Sequence, residues 1–531
     1  MRNITKYILV CMMIFIISCS EDMVDLTNPN TITTGSFWKT EADAVAGTNA
    51  IYQSLITDGV FMRKYMWTMD GRADDCWNVT PVTYIMCQMT SYTVSSTEEE
   101  LYGPWECHYA GIWRANQVLD NINDIPMSED IKQRCLGEAH FLRGLLYFNL
   151  VNLFHNVIIY KHTPQSVSDY YVEQSPPAET WAFVISELKE GIKGCWTQDQ
   201  IRAIKQEGRA TKGAAAAYLA KAYLMNNQYD SAAPVLKDII DGVYGTYSLV
   251  QNFSDNFTTV NENNSESIFE LQYDYGTGSV QGWGLEPQAN WQKQDGYSKS
   301  LAPKPIGWGD ICPTKWIWDE FHKEKAIDGG DDGRIEATFV FPHPDSASYT
   351  VFGYPQDGPN GFSSFSWSIT GENLGLTPDY KVSIRKCLIE DPVLMNDWKS
   401  DINRRIVRYA DILLLYAECE NELNNRAECA KYLQIVRNRA NLPDRETEFA
   451  GYSQTAMREQ IYHERALELA CEWWRYLDIL RWGWFYDPAR LDSLKAHDPE
   501  FNPYIPGREY LAIPTQEINR NRKVHQSEAW N

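Results

Sequence analysis

Arg408-Tyr409-Ala410-Asp411-Ile412-Leu413-Leu414-Leu415-Tyr416-Ala417-Glu418 opens a helix–turn–helix plan that this chain uses twice. Leu413, Leu414, Tyr416 and Ala417 place apolar groups at helical spacing. Asn424-Asn425-Arg426 reads as the turn, and Ala430, Leu433 and Val436 carry the return helix. Thr211 to Gly242 repeats the arrangement: Ala214 to Ala217 with Ala220 and Ala222 give a small-faced helix, Asn226-Asn227-Gln228 turns, and Ala232, Ala233, Leu236 and Ile240 face back. Pro234 fits only in the first turn of that return helix. Aligning the turns pairs Asn226 with Asn424, Tyr218 with Tyr416 and Ala232 with Ala430. The copies lie about two hundred residues apart, too far for a simple tandem array, yet the shared plan predicts tetratricopeptide-like pairing.

Working outward, further helices are expected. One spans Glu41 to Thr57, with Thr40 and Asp43 at capping-box spacing. Another runs from Tyr109 to Ile125, ended by Pro126. A third, Ile131 to Phe154, is apolar on nearly every side after Gly144, which suits burial inside a helical body. Glu459 to Trp482 reads as one long helix. Between the paired units the texture changes. Residues 244–403 are dense in Gly, Pro, Asn, Ser and Trp, with strand-like runs at Ser267–Tyr273 and Glu336–Phe341. A long irregular stretch inside an ordered protein is often functional. The expected fold is mainly α: helix pairs forming a scaffold, with a loop-rich insertion and short strands as the working surface.

Hydrophobic residues make up 44% of the 531, as in an ordinary globular chain. The 48 basic and 71 acidic residues give a formal charge of −23, which disfavours nucleic acid as a partner. Aromatic residues reach 13%, and any that remain exposed offer flat faces on which sugar rings stack through their C–H groups.

The N-terminus carries an address. Arg2 and Lys6 precede an apolar run from Tyr7 to Ile17, too short to remain as a membrane span, followed by Ser18-Cys19. This predicts a lipoprotein signal over residues 1–18, with lipid on the Cys19 thiol and a linker through residue 34. Several acyl chains on one residue hold firmly to a bilayer. Ser20-Glu21-Asp22 resembles the acidic surface-export tag of lipoproteins from the Bacteroidota, which implies an outer-membrane protein facing the exterior. Of the mature cysteines, Cys419, Cys429 and Cys471 fall in helical patterns, while Cys76, Cys87 and Cys107 lie in a loop-rich stretch where pairing is open to them.

Motifs along almost the whole mature chain resemble the SusD/RagB family of outer-membrane nutrient-binding lipoproteins. They are Phe37-Trp38 with Ala50-Ile51-Tyr52; Glu138-Ala139-His140-Phe141-Leu142-Arg143-Gly144; Arg209-Ala210-Thr211-Lys212-Gly213-Ala214; the Arg408 block; Arg437-Asn438-Arg439-Ala440; Glu472-Trp473-Trp474-Arg475-Tyr476-Leu477-Asp478; and Ile513-Pro514 with Glu517-Ile518. Asn521-Arg522 and Ser527-Glu528-Ala529-Trp530 depart from the family's closing pattern. The resemblance implies a single SusD-like domain over 35–531, non-catalytic and without cofactor. Such a chain captures a glycan, or in some branches a peptide, above a SusC-like TonB-dependent transporter. Arg408, Asp411, Arg465 and Arg475 read as partners in ion pairs between helices, since buried charge needs a partner.

Two aromatic clusters compete for the ligand. The first holds Trp67, Asp70, Arg72, Asp74, Asp75, Trp77, Tyr84 and Tyr92. The second, in the insertion, holds Tyr273, Tyr275, Trp283, Asn290, Trp291, Trp308, Trp316 and Trp318. The resemblance implies contacts from both. The expected ligand-binding residues are Trp77, Trp283, Trp291 and Trp308 for stacking and Asp70, Arg72 and Asn290 for hydroxyls. Asp328-Gly329-Gly330-Asp331-Asp332-Gly333 lacks EF-hand spacing and reads as a solvated turn. The chain has no G-x-S-x-G, P-loop or H-E-x-x-H. A helical glycoside hydrolase, needing only two carboxylates, is the rival from another class.

Overall fold

The computed structural model describes residues 37–78, 85–273, 296–304, 306–343, 350–351, 354–355, 381–391, 394 and 400–531. The signal, Cys19 and the linker lie outside them. The principal helices are α1 (Glu41–Leu55), α2 (Lys64–Asp70), α3 (Glu99–Asn121), α4 (Glu129–Phe154), α5 (Pro177–Gly194), α6 (Lys212–Met225), α7 (Tyr229–Ile240), α8 (Tyr409–Glu422), α9 (Arg426–Arg439), α10 (Gln454–Glu468), α11 (Trp474–Arg481), α12 (Pro488–His497) and α13 (Thr515–Arg520). The longer strands are β1 (Cys76–Asn78), β2 (Ser267–Leu271), β3 (Ile311–Pro313) and β4 (Arg404–Arg408).

The fold is mainly helical, as expected. Neighbours in the array pack in series: α1 on α3, α3 on α4, α4 on α5, α5 on α6, α6 on α7, α7 on α8, and α8 on α9 and α10. The two repeated units, far apart in sequence, therefore meet directly through α7 and α8. One buried apolar cluster runs from Ala44 to Val524. The insertion leaves after α7 and returns through β4, which leads straight into α8. Its neck is stitched by the antiparallel ladder of β2 with β4, Ser267 opposite Arg408 and Leu271 opposite Arg404. A second ladder joins the early segment to the insertion, Cys76 opposite Pro313 and Asn78 opposite Ile311. Among the described residues no helix is long and apolar enough to cross a membrane.

The capping box forms as read: Asp43 Oδ2 accepts the Thr40 N–H at 2.8 Å and Thr40 Oγ1 accepts the Asp43 N–H at 3.3 Å. Other details differ. α3 begins at Glu99 with Pro104 inside it, earlier than the expected Tyr109. Pro234 sits beyond the first turn of α7, on an exposed position, where the missing N–H opens no buried vacancy. The copies align one residue away from the expected register. The left-handed turn residues are Asn227 and Asn424, so Ala233 matches Ala430 and Leu236 matches Leu433. The Glu336–Phe341 run is half helix: Ile335–Thr338 is helical and only Phe339–Val340 is extended.

The expected helix over Glu459–Trp482 is two helices, α10 and α11. Cys471 and Trp473 both adopt φ 56 between them, which breaks the helix and leaves backbone amides to be satisfied elsewhere.

Candidate functional site

Those amides find the acidic cluster of the early segment. Asp75 Oδ2 accepts the Cys471 N–H at 2.8 Å, and Asp70 Oδ1 accepts the Trp473 N–H at 2.7 Å. Asp70 also takes the Tyr297 hydroxyl at 2.5 Å, from the insertion. Arg475, on α11, bonds Asp74 through Nε at 2.6 Å and Nη2 at 3.1 Å. Burial pushes the Asp70 carboxyl up to about 6, against its bonds from Tyr297 and Trp473. It pushes Asp75 further, to about 8, with the Asp70 charge adding to the effect. For Asp74 burial is outweighed by Arg475 and His497, which hold it at about 2.

Sequence reading took Asp70, Arg72 and Trp77 as ligand-facing, and the structure turns all three inward, at 1%, 1% and 2% exposure. The Arg72 guanidinium lies 4.4 Å from the Tyr92 ring centroid and donates to the Met89 carbonyl. Trp77 is walled in opposite Cys312. Asp70 ties the early segment to the α10–α11 break, Arg72 sits between the Tyr92 and Tyr476 rings, and Trp77 lies in the ladder with the insertion; a buried carboxylate or guanidinium is retained only with partners. Trp67 and Tyr92 are equally buried.

Trp308 stands differently. It is half-buried, on a turn strapped to the short helix Tyr297–Leu301 by its own N–H to the Lys299 carbonyl, 2.8 Å, and by the Asp310 N–H to the Ser300 carbonyl, 2.8 Å. β3 follows directly, so the β1–β3 ladder brings the early segment and this part of the insertion together. Trp283, Asn290 and Trp291, with Tyr84 and Tyr275, lie outside the described residues. Trp316 stacks on His497 with centroids 4.3 Å apart, and Trp318 packs edgewise on Phe339 and Phe341. Both are packing residues.

The ion pairs expected of the motif residues are present. Arg408 Nη1 reaches Glu266 at 2.6 Å and Glu468 at 2.8 Å, and its Nε reaches Glu472 at 2.8 Å. Asp411 pairs with Lys221 and Arg465, joining α6 to α8 and α10. The acidic turn is structural: Asp328 Oδ1 accepts the Gly330 N–H and Asp332 pairs with Arg334. Cys76, Cys87 and Cys107 do not pair with one another; each is a free, buried thiol. Asp75, Cys76 and Cys471 bring their donor atoms within 4.8 Å of one another, the one grouping of metal-ligand type found among the described residues.

A groove absent from the sequence reading lies along α3. It encloses about 450 Å³, inside the roughly 300–1,000 Å³ range of ligand pockets. One wall is the α3 face carrying Tyr102, Glu106, Tyr109 and Trp113. The opposite wall is the 158–171 loop with Tyr160, Tyr170 and Tyr171, and α13 closes one end with Glu517 and Arg520. The signal was in the sequence, since Tyr102, Trp105, Tyr109 and Trp113 recur on one helical side. Starting the helix at Tyr109 cut that stripe in two.

Residues 265–530 match the model of the SusD family. The chain belongs to the SusD family. Residues 38–224 match a model described as starch-binding associating with outer membrane. This SusD-family chain is 26% identical to SusD-like protein P25 of Formosa agariphila, over 100% of itself and 99% of the relative. A solved SusD superfamily protein from Bacteroides vulgatus superposes with TM-score 0.75 at 26% identity, covering 93% of this chain and 100% of that one. A structure titled laminarin binding SusD-like protein superposes with TM-score 0.70 at 25% identity, covering 92% and 99%.

Proposed function

We propose that this chain is a cell-surface lipoprotein that captures an oligosaccharide and delivers it to a SusC-like TonB-dependent transporter. The observation that carries the reading is the setting of Trp308: a half-buried indole on a backbone-locked turn, at the place where the insertion meets the early segment. A half-buried indole on a held turn suits stacking on a sugar, because little ordering remains to be lost on binding. The laminarin-binding neighbour and the starch-binding family description favour a glycan as the ligand.

In this reading Trp283, Asn290 and Trp291 add contacts from the same insertion, while Asp70, Arg72 and Trp77 brace the base of the site. Residues 35–531 act as one SusD-like domain. Cys19 carries the lipid and Ser20-Glu21-Asp22 directs the chain outward. Capture and hand-over need no catalytic pair, and the transporter supplies the energised step.

Affinity electrophoresis of the chain from Ser20 onward through gels containing laminarin, starch or xylan tests the reading. Retardation by one of them, weakened in Trp308→Ala, is the expected result. Migration unchanged in all three would overturn it, and a peptide would then be the ligand to try.

A further inference from the structure

The groove along α3 shares no residue with the insertion, and nothing above gives it a task. Its construction is that of a binding site. The tyrosine hydroxyls are used to fix its walls: Tyr109 Oη donates to the Ile158 carbonyl at 3.0 Å and accepts the Ile158 N–H at 2.8 Å, and Tyr160 Oη donates to the Tyr170 carbonyl at 2.9 Å. The loop is thus held to α3 by its backbone. What remains for a ligand is ring face and a small polar set.

Part of the aromatic surface is exposed. Tyr170 and Tyr171 are 49% and 44% exposed, and the Trp113 ring stands nearly parallel to that of Tyr170, 14° between planes with centroids 6.3 Å apart. The polar set is mixed in sign. Glu106 and Glu517 supply acceptors, and Arg520, which lies 5.2 Å from the Tyr102 ring centroid and bonds its hydroxyl, supplies donors. A cationic ligand is disfavoured, because Arg520 already holds the cation position over an aromatic face. Ring faces with carboxylate acceptors and a guanidinium donor fit a neutral polyhydroxylated ring.

We infer that this groove is a second sugar-binding site, separate from the insertion, which stacks a pyranose ring on Trp113 and Tyr170 and takes its hydroxyls on Glu106 and Arg520. The inference rests on the glycan reading above. Two separated contacts on one long chain raise retention through effective concentration, without tightening either site.

The test compares four forms of the chain from Ser20 onward by affinity electrophoresis in laminarin, starch and xylan, with thermal unfolding as the folding control. The Trp113→Ala/Tyr170→Ala double variant is expected to be held about fivefold more weakly than the parent, the loss of one aromatic stacking contact, with its melting temperature unchanged. Trp308→Ala removes the other contact, and combining the two leaves no retardation. If the double variant melts early, Glu106→Gln replaces it, since it keeps the shape and removes an acceptor charge; weaker retention is expected again. Retention equal to the parent's in the groove variants, with Trp308→Ala abolishing it, overturns this site and leaves the glycan reading standing. No retardation of the parent by any of the three overturns both. Binding of tetramethylammonium that is lost in the groove variants, with the sugars indifferent to the groove, would make it a cation pocket and also overturn the proposal.

Discussion

Asp70 accepts the backbone N–H of Trp473 at 2.7 Å, a hydrogen bond between the end of α2 and the break that separates α10 from α11. The same carboxylate holds Tyr297 of the insertion. One buried side chain therefore ties together the early segment, the late helices and the insertion. Asp70→Ala removes the acceptor shared by the Trp473 N–H and the Tyr297 hydroxyl, and the buried N–H left behind costs about 1–3 kcal/mol. A urea unfolding series should show the midpoint falling sharply, and Asp70→Asn, whose amide oxygen still accepts, should lie between. An unchanged midpoint in the alanine variant would refute the capping role.

Asp75 makes the neighbouring bond to Cys471 and gives a pH signature. Burial raises its carboxyl from 3.8 to about 8. The folded state therefore keeps a proton that the unfolded chain releases, so its contribution is full below pH 3.8 and is lost as pH rises toward about 8. Asp74 and Asp411, held at about 2, act oppositely: their contribution is present above 3.8 and lost as pH falls. Asp75→Asn should flatten the decline in stability between mildly acid and mildly alkaline buffer. Parallel curves for parent and variant would exclude Asp75 as its source.

The helix pairs were legible because alternating small and large apolar residues at helical spacing state a packing face directly. The Arg408 block was legible too, since charge inside an apolar run demands partners. The α10–α11 break was not. Its two left-handed residues are Cys471 and Trp473, neither of which favours that backbone; the stabilising groups are carboxylates some four hundred residues earlier in sequence, beyond the reach of any local pattern. For the same reason Asp70, Arg72 and Trp77 read as ligand-facing although the fold buries all three. Aromatic and charged residues close in sequence carry the same signature whether they face water or another element.

Arg408 is the most heavily committed of the motif residues. Its guanidinium meets Glu266, Glu468 and Glu472 at once, while Glu468 also takes Arg334 and Arg439. Arg408→Met removes the shared cation and leaves buried carboxylates in excess, which costs about 3–5 kcal/mol. Arg408→Lys keeps the charge but cannot span three acceptors from one planar fork, so it should recover only part of the loss. Chemical denaturation of both variants checks the order; a lysine variant as stable as the parent would show that charge alone, without the fork, is enough.

The close crossing of α4 and α5 rests on two glycines. A Cβ on Gly137 would fall 2.1 Å from the Cys195 nitrogen, and one on Gly194 would fall 2.6 Å from the Gln133 carbonyl oxygen. Both obstacles are backbone, so the helices must move apart rather than a side chain turn aside. The next helix in the series, α6, is stacked on α5, so a shift there is passed on along the array. Gly137→Ala should therefore lose stability by about 1–3 kcal/mol despite alanine's better helix propensity, which returns at most about 1 kcal/mol. Gly296→Ala, whose Cβ meets nothing closer than Met62 Cγ at 3.8 Å, is the matched control. Calorimetric melting of the two should separate them, with Gly137→Ala lowered and Gly296→Ala close to the parent; coincident melts would mean that the α4–α5 contact tolerates widening and is not what fixes the helical array.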